Sequence, residues 1–112
     1  MLSKIIIDEV NDGYKSIVDF NTKKFMGVKN DNIVFVKGIV DNDIIINLVN
    51  DYVTFWNTKY INNNIFDGNY TKIIIYYNKD IVTYEFKNKY PDNYSSFIGK
   101  FNEIVSSLWN MD

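Results

Sequence analysis

The sequence predicts an α+β domain: a mostly antiparallel sheet carrying two helices on one face. Three observations predict it. Short runs rich in Ile, Val, Tyr and Phe alternate between faces and are separated by Asn, Asp and Gly turn signals. Two other stretches, 41–60 and 92–110, place apolar residues at helical spacing. The order is about four strands, a helix, a hairpin and a closing helix, a grouping typical of α+β folds.

Taken in order, "KIIIDEV" (Lys4 to Val10) meets the turn Asn11-Asp12-Gly13 and returns as "YKSIVDF" (Tyr14 to Phe20). Asn and Asp before Gly suit the positive backbone angles of a tight hairpin. "KKFMGVK" follows, and Asn30-Asp31-Asn32 turns the chain into "IVFVKGIV", Ile33 to Val40. Because that run is apolar on both faces, it is expected at the centre of the sheet. At Asp41 the period changes. Ile45, Leu48, Val49, Tyr52, Val53 and Trp56 fall on one side of a helix, with Asp41 or Asp43 as its cap. The apolar arc of this helix is wider than one sheet face covers, and its flank at Ile44, Leu48 and Phe55 is expected to be buried under a loop or the second helix; otherwise it is a partner site.

"INNNIFDGN", Ile61 to Asn69, reads as a connecting loop. "YTKIIIYY" and "IVTYEFK" flank Asn78-Lys79-Asp80 as a second hairpin, with Val82, Tyr84 and Phe86 opposite Thr83, Glu85 and Lys87. Pro91 keeps Tyr90 out of helical geometry and so separates strand from helix. From about Asp92 to Asn110, capped by Asp92 or Asn93, Phe97, Phe101, Ile104, Val105, Leu108 and Trp109 form a one-sided stripe. Each helix follows a strand pair and ends near a tryptophan, Trp56 or Trp109, which fits either a repeated strand-strand-helix unit or an ordinary α+β domain.

Composition bounds the chemistry. The 112 residues suit one domain, 1–112, and 46% hydrophobic with 17% aromatic residues is enough to build a packed core without disulfides or metal. The chain has no Cys, His, Arg, Ala or Gln. Thiolate and Ser-His-Asp nucleophiles are thereby removed, and zinc, copper and haem sites lose their usual ligands. Asp41-Asn42-Asp43 opens like a calcium loop, but the glycine and glutamate that complete one are missing. The five glycines stand apart, so no phosphate loop is present. Asp8 with Glu9, and Asp41 with Asp43, are the carboxylate pairs nearest in sequence, and they read as solvated or capping groups. No enzyme, cofactor or metal is expected.

A net charge of -2 without a basic run makes nucleic acid an unfavoured partner. No segment approaches the roughly 18 apolar residues of a membrane span, and the three isoleucines near the start are too few for a signal-peptide core. A cytoplasmic location in a bacterial or virus-infected cell is the expectation, because the residue types favoured here are those of A/T-rich codons.

Candidate surfaces come from aromatic and small residues. Tyr70, Ile74 and Tyr76 point opposite to Ile73, Ile75 and Tyr77, so a sheet covered on one face presents tyrosines on the other. Tyrosine combines a large contact area with a polar tip and few rotamers to freeze. On the polar side of the last helix Ser95, Gly99, Asn102 and Ser106 form a flat face, which either admits a partner's backbone or means nothing. With Ile44 and Phe55, these are the expected interaction residues.

The stretch from Phe66 to Leu108 resembles the C-terminal half of small uncharacterised bacterial α+β proteins. In these an Asp-Gly turn leads into a hairpin, a Tyr-Pro-x-Asn-aromatic step and a closing helix. Asp67, Gly68, Tyr90, Pro91, Asn93 and Tyr94 carry the likeness, with Tyr70 and Tyr94 where such proteins often have tryptophan. The resemblance implies a fold and no activity.

Three functions fit. The first is a non-enzymatic protein that binds another protein, in the manner of a toxin-immunity protein or a phage inhibitor of a host defence system. The second is a domain binding a small molecule or nucleotide derivative in a tyrosine-lined cleft. The third is a structural subunit that forms homo-oligomers through its first helix.

Overall fold

The first strand of the chain lies at the middle of the sheet. The computed structural model describes residues 2–39, 41–64 and 68–109, the last three by their backbone alone. β1 (Leu2–Glu9), β2 (Tyr14–Asp19), β3 (Lys24–Lys29) and β4 (Asn32–Gly38) form an antiparallel meander. α1 (Asn42–Tyr52) runs into a 3₁₀ turn, Val53–Phe55, and then β5 (Lys59–Ile61). The hairpin β6 (Tyr70–Tyr77) and β7 (Ile81–Lys87) leads to α2 (Tyr94–Trp109). The strand order is β4-β3-β2-β1-β6-β7-β5, antiparallel throughout except where β5 joins β7 in parallel. This is the predicted α+β fold, with four strands before the first helix.

Local chemistry sets the turns. Gly13 has φ 63° and caps a 3₁₀ turn over Val10–Asp12, a geometry that costs glycine nothing. Asn30 and Asp31 both have positive φ, as a two-residue type I′ hairpin requires. Asp41 caps α1, its Oδ1 accepting from the Asp43 N–H at 2.9 Å.

The core lies between one sheet face and the helices. Ile5, Ile7, Val18, Phe25, Ile73, Ile75, Tyr84 and Phe86 point towards Ile45, Leu48, Val49 and Val53 of the first helical segment and Phe97 and Phe101 of α2. Trp56 closes one end. Its ring lies 5.7 Å from Phe86 and 5.3 Å from Phe97, and its Nε1 donates to Asn93 Oδ1 at 2.7 Å. Asn93 therefore precedes α2 as expected but spends its side chain on the tryptophan. Leu108 and Trp109, assigned to the same stripe, have side chains outside the described ones, as do all atoms of Asp67.

Three expectations are corrected. The apolar run at Ile33 is an edge strand and not a central one: Ile33, Val34 and Val36 are exposed, and β1 with its own Ile5-Ile6-Ile7 takes the centre. A register shift between Gly27 and Val28 of the partner strand distorts that edge, which limits stacking against another chain. On α1, Leu48 is buried as expected, but Ile44 and Phe55 are not; Phe55 is 81% exposed. The change to 3₁₀ winding at Val53 alters the rotation per residue, so the α-helical arc does not carry through to Phe55. Finally, residues 59–61, read as helix end and loop, form β5. Three residues are too few to carry a periodic signal.

Candidate functional site

The strand register divides the sheet into two chemically different faces. On the face away from the helices, Val36, Met26, Ile17, Ile6, Ile74 and Thr83 lie side by side across six strands. An apolar belt thus crosses the sheet, half-buried in the middle and more exposed at the edge. One flanking row reads Lys24, Asp19, Lys4, Tyr76, Ile81, and the other Lys15, Asp8, Lys72, Glu85, Lys59. Beyond the latter lie Tyr70 and Lys87.

This face is basic although the chain is acidic. Lys4, Lys15, Lys24, Lys59, Lys72 and Lys87 outnumber Asp8, Asp19 and Glu85 in a protein of net charge -2. Lysine ammoniums rest on the tyrosine rings: Lys4 is 4.9 Å from the Tyr76 centroid, and Lys72 and Lys87 are 5.3 and 4.8 Å from that of Tyr70. Each such contact contributes about 0.5–1 kcal/mol at an exposed site and holds the ring in place. The Tyr70 hydroxyl donates to Glu85 Oε2 at 3.2 Å. Tyr70, Ile74 and Tyr76 therefore lie together on the open face, as the alternation predicts. The density of lysine on this face is not legible in the sequence, because those lysines come from β1, β2, β3, β5, β6 and β7 and meet only through pairing.

A second region lies under the opposite side of α2. The last row of the covered sheet face places Glu9 between Tyr14 and Thr71, with Phe86 beyond Thr71. Core packing stops here, and two cavities of about 550 and 290 Å³ open beneath the helix, both bordered by Glu9 and Asn102. Ser95 borders the larger and Ser106 the smaller. Three of the four residues of the small-residue face on α2, Ser95, Asn102 and Ser106, thus overlook a cleft. Gly99 does not: a methyl added there meets nothing within 4 Å. Gly99→Ala is expected to raise the unfolding free energy by about 1 kcal/mol in urea denaturation, the difference in helix propensity at an unconstrained position.

Asn11 fixes one wall of the larger cavity, accepting from the Tyr70 N–H at 2.7 Å and donating to the Gly68 carbonyl at 2.9 Å. Tyr90 and Tyr94 form another, their ring centroids 4.7 Å apart, with the Tyr90 hydroxyl 3.0 Å from Thr71 Oγ1. Burial, and then its neighbours Tyr90 and Glu9, push the Tyr94 phenol up to about 12. Burial and the nearby Asp12 push the Glu9 carboxyl above its ordinary range.

The Tyr94 shift has a consequence for stability. The folded state holds this proton more tightly than the unfolded chain, so the associated stability is complete below pH 10 and is lost as pH rises from 10 to about 12. A phenol held from 10 up to about 12 corresponds to at most about 2–3 kcal/mol, less with solvent screening at this partly exposed ring. Urea midpoints measured across this window are expected to fall steeply for the wild type and less steeply for Tyr94→Phe, which has no phenol to ionise.

Among the described residues no group of three acidic side chains is placed to hold a metal ion, and no helix is long and apolar enough to cross a membrane. No family model matches the chain, and no curated protein or solved structure matches it.

Proposed function

We propose that the protein acts by binding an acidic protein partner on the open face of its sheet, without catalysis. The observation that carries this reading is the apolar belt from Val36 to Ile74 between rows in which lysines alternate with, and outnumber, carboxylates. An apolar centre with a charged rim is the anatomy of a protein interface. At about 4.8 Å per strand and about 3.3 Å per residue, the face covers roughly 600 Å². That matches the lower end of specific interfaces, about 600 Å² a side. The excess of lysine selects a partner with surplus Asp and Glu and accelerates its approach. Tyr70 and Tyr76, held by lysine ammoniums, add contact area at small entropic cost.

Inhibition is the use that composition suggests, in the manner of an immunity protein or an inhibitor of a host defence system. The test is affinity capture from cells of the source, with elution by rising salt. One stoichiometric, acidic protein released as salt increases is expected. A partner retained equally at all salt concentrations, or a nucleic acid in place of protein, argues against the reading.

The cleft beneath α2 does not suit a nucleotide derivative, because carboxylates border it and phosphate would be repelled. Ile44 and Phe55 support a second reading, association of two copies through α1, since both are exposed. Light scattering at high concentration distinguishes it: a monomer removes this reading.

A further inference from the structure

The cleft beneath α2 has charge of one sign. Glu9 and Asp12 contribute carboxylates, while Thr71, Tyr94 and Asn102 contribute hydroxyl and amide groups. None of the twelve lysines borders either cavity. Lys29, next to Tyr14 in the pairing, gives its ammonium to the Asp12 carbonyl at 2.6 Å. The Glu9 carboxylate receives no hydrogen bond and no cation from the described residues, although the strands around it hold it half-buried. A half-buried carboxylate with no counter-ion among the described residues, beside an open volume of about 550 Å³, leaves room for a cation to sit against it. Ile98 and the rings of Tyr90 and Tyr94 supply apolar surface beside it, the combination that receives alkylammonium groups.

We propose that this cleft binds a small organic amine, its ammonium held by the Glu9 carboxylate and the hydroxyls of Thr71 and Tyr94, its hydrocarbon lying against Ile98 and the tyrosine rings. Glu9 supplies the charge-assisted contact, and the hydroxyls accept the remaining ammonium protons. The site is on the opposite side of the sheet from the protein-binding face, so either stands without the other.

The probe is 1,4-diaminobutane, titrated calorimetrically into the intact protein at pH 7, with 1,4-butanediol as its uncharged counterpart. Saturable one-site binding of the diamine and none of the diol is expected. Glu9→Gln should weaken binding by about tenfold or more, the usual scale of a charge-assisted contact. Glu103→Gln removes a charge from α2 outside both cavities and should change affinity less than about twofold. Amide shifts on diamine addition should centre on Glu9, Thr71 and Tyr94, which also decides the matter should Glu9→Gln fail to fold. Equal weakening by both variants would reveal general attraction to an acidic protein and overturn the proposal. So would equal binding of the diol, or no saturation up to about 10 mM, where the free energy falls below the weakest specific range.

Discussion

Phe86→Ala is expected to lower the unfolding free energy by about 3–5 kcal/mol, measured by urea denaturation at pH 7. Phe86 is fully buried on β7, and its ring meets four others, with centroids at 5.7 Å from Trp56, 5.6 Å from Tyr60, and 5.5 Å from both Tyr90 and Tyr94. Those partners come from the segment after α1, from β5, and from the approach to α2 and its first residue. Removing the ring therefore opens a cavity where three parts of the chain join the sheet. Trp56 and Tyr90 cannot refill it without leaving their own contacts, since Trp56 is tied to Asn93 and Tyr90 to Thr71. A small domain has only about 5–15 kcal/mol in total, so the variant should be close to unfolding at 37 °C. A loss below about 1 kcal/mol would mean that this cluster is not packed as described.

Ile74→Glu has its largest expected effect on binding rather than on stability. Ile74 lies in the belt beside Ile6 and is only half-buried, so a charge there stays solvated and should change the unfolding free energy by less than about 1 kcal/mol. In a complex the same carboxylate would be desolvated against an apolar, acidic partner. A loss of about 100-fold in affinity is expected, the equivalent of about 3 kcal/mol for a central contact. Most of it should appear as faster dissociation, because the surrounding lysines still steer the encounter.

The sheet was largely legible in the sequence because alternation is a local signal. The two faces of "YTKIIIYY" and "IVTYEFK" follow from residue order alone, and Tyr84 and Phe86 are buried as that order requires. Position within the sheet was less legible. The run at Ile33 is as apolar as β1, and only the pairing of β1 with both β2 and β6 decides which is central. The same limit hid both candidate sites in part. Tyr70, Ile74 and Tyr76 could be placed on one face, but the lysines that make this face basic come from six strands, and an overall charge of -2 conceals the segregation. Glu9 gave no signal either, for it looks like one more acidic residue near a turn until Tyr14 and Thr71 are set beside it. Phe55 shows the opposite error, an apolar residue assigned to an arc that the helix leaves three residues earlier.

The central claim is that the open sheet face, and not α1, carries the partner. With the captured partner in hand, binding is measured for the wild type, Ile74→Glu and Phe55→Glu, each first shown to be folded by circular dichroism. The predicted result is a loss of about 100-fold for Ile74→Glu and of less than about threefold for Phe55→Glu. Undiminished binding by Ile74→Glu, with loss in Phe55→Glu, would contradict the account and move the interface to the helix.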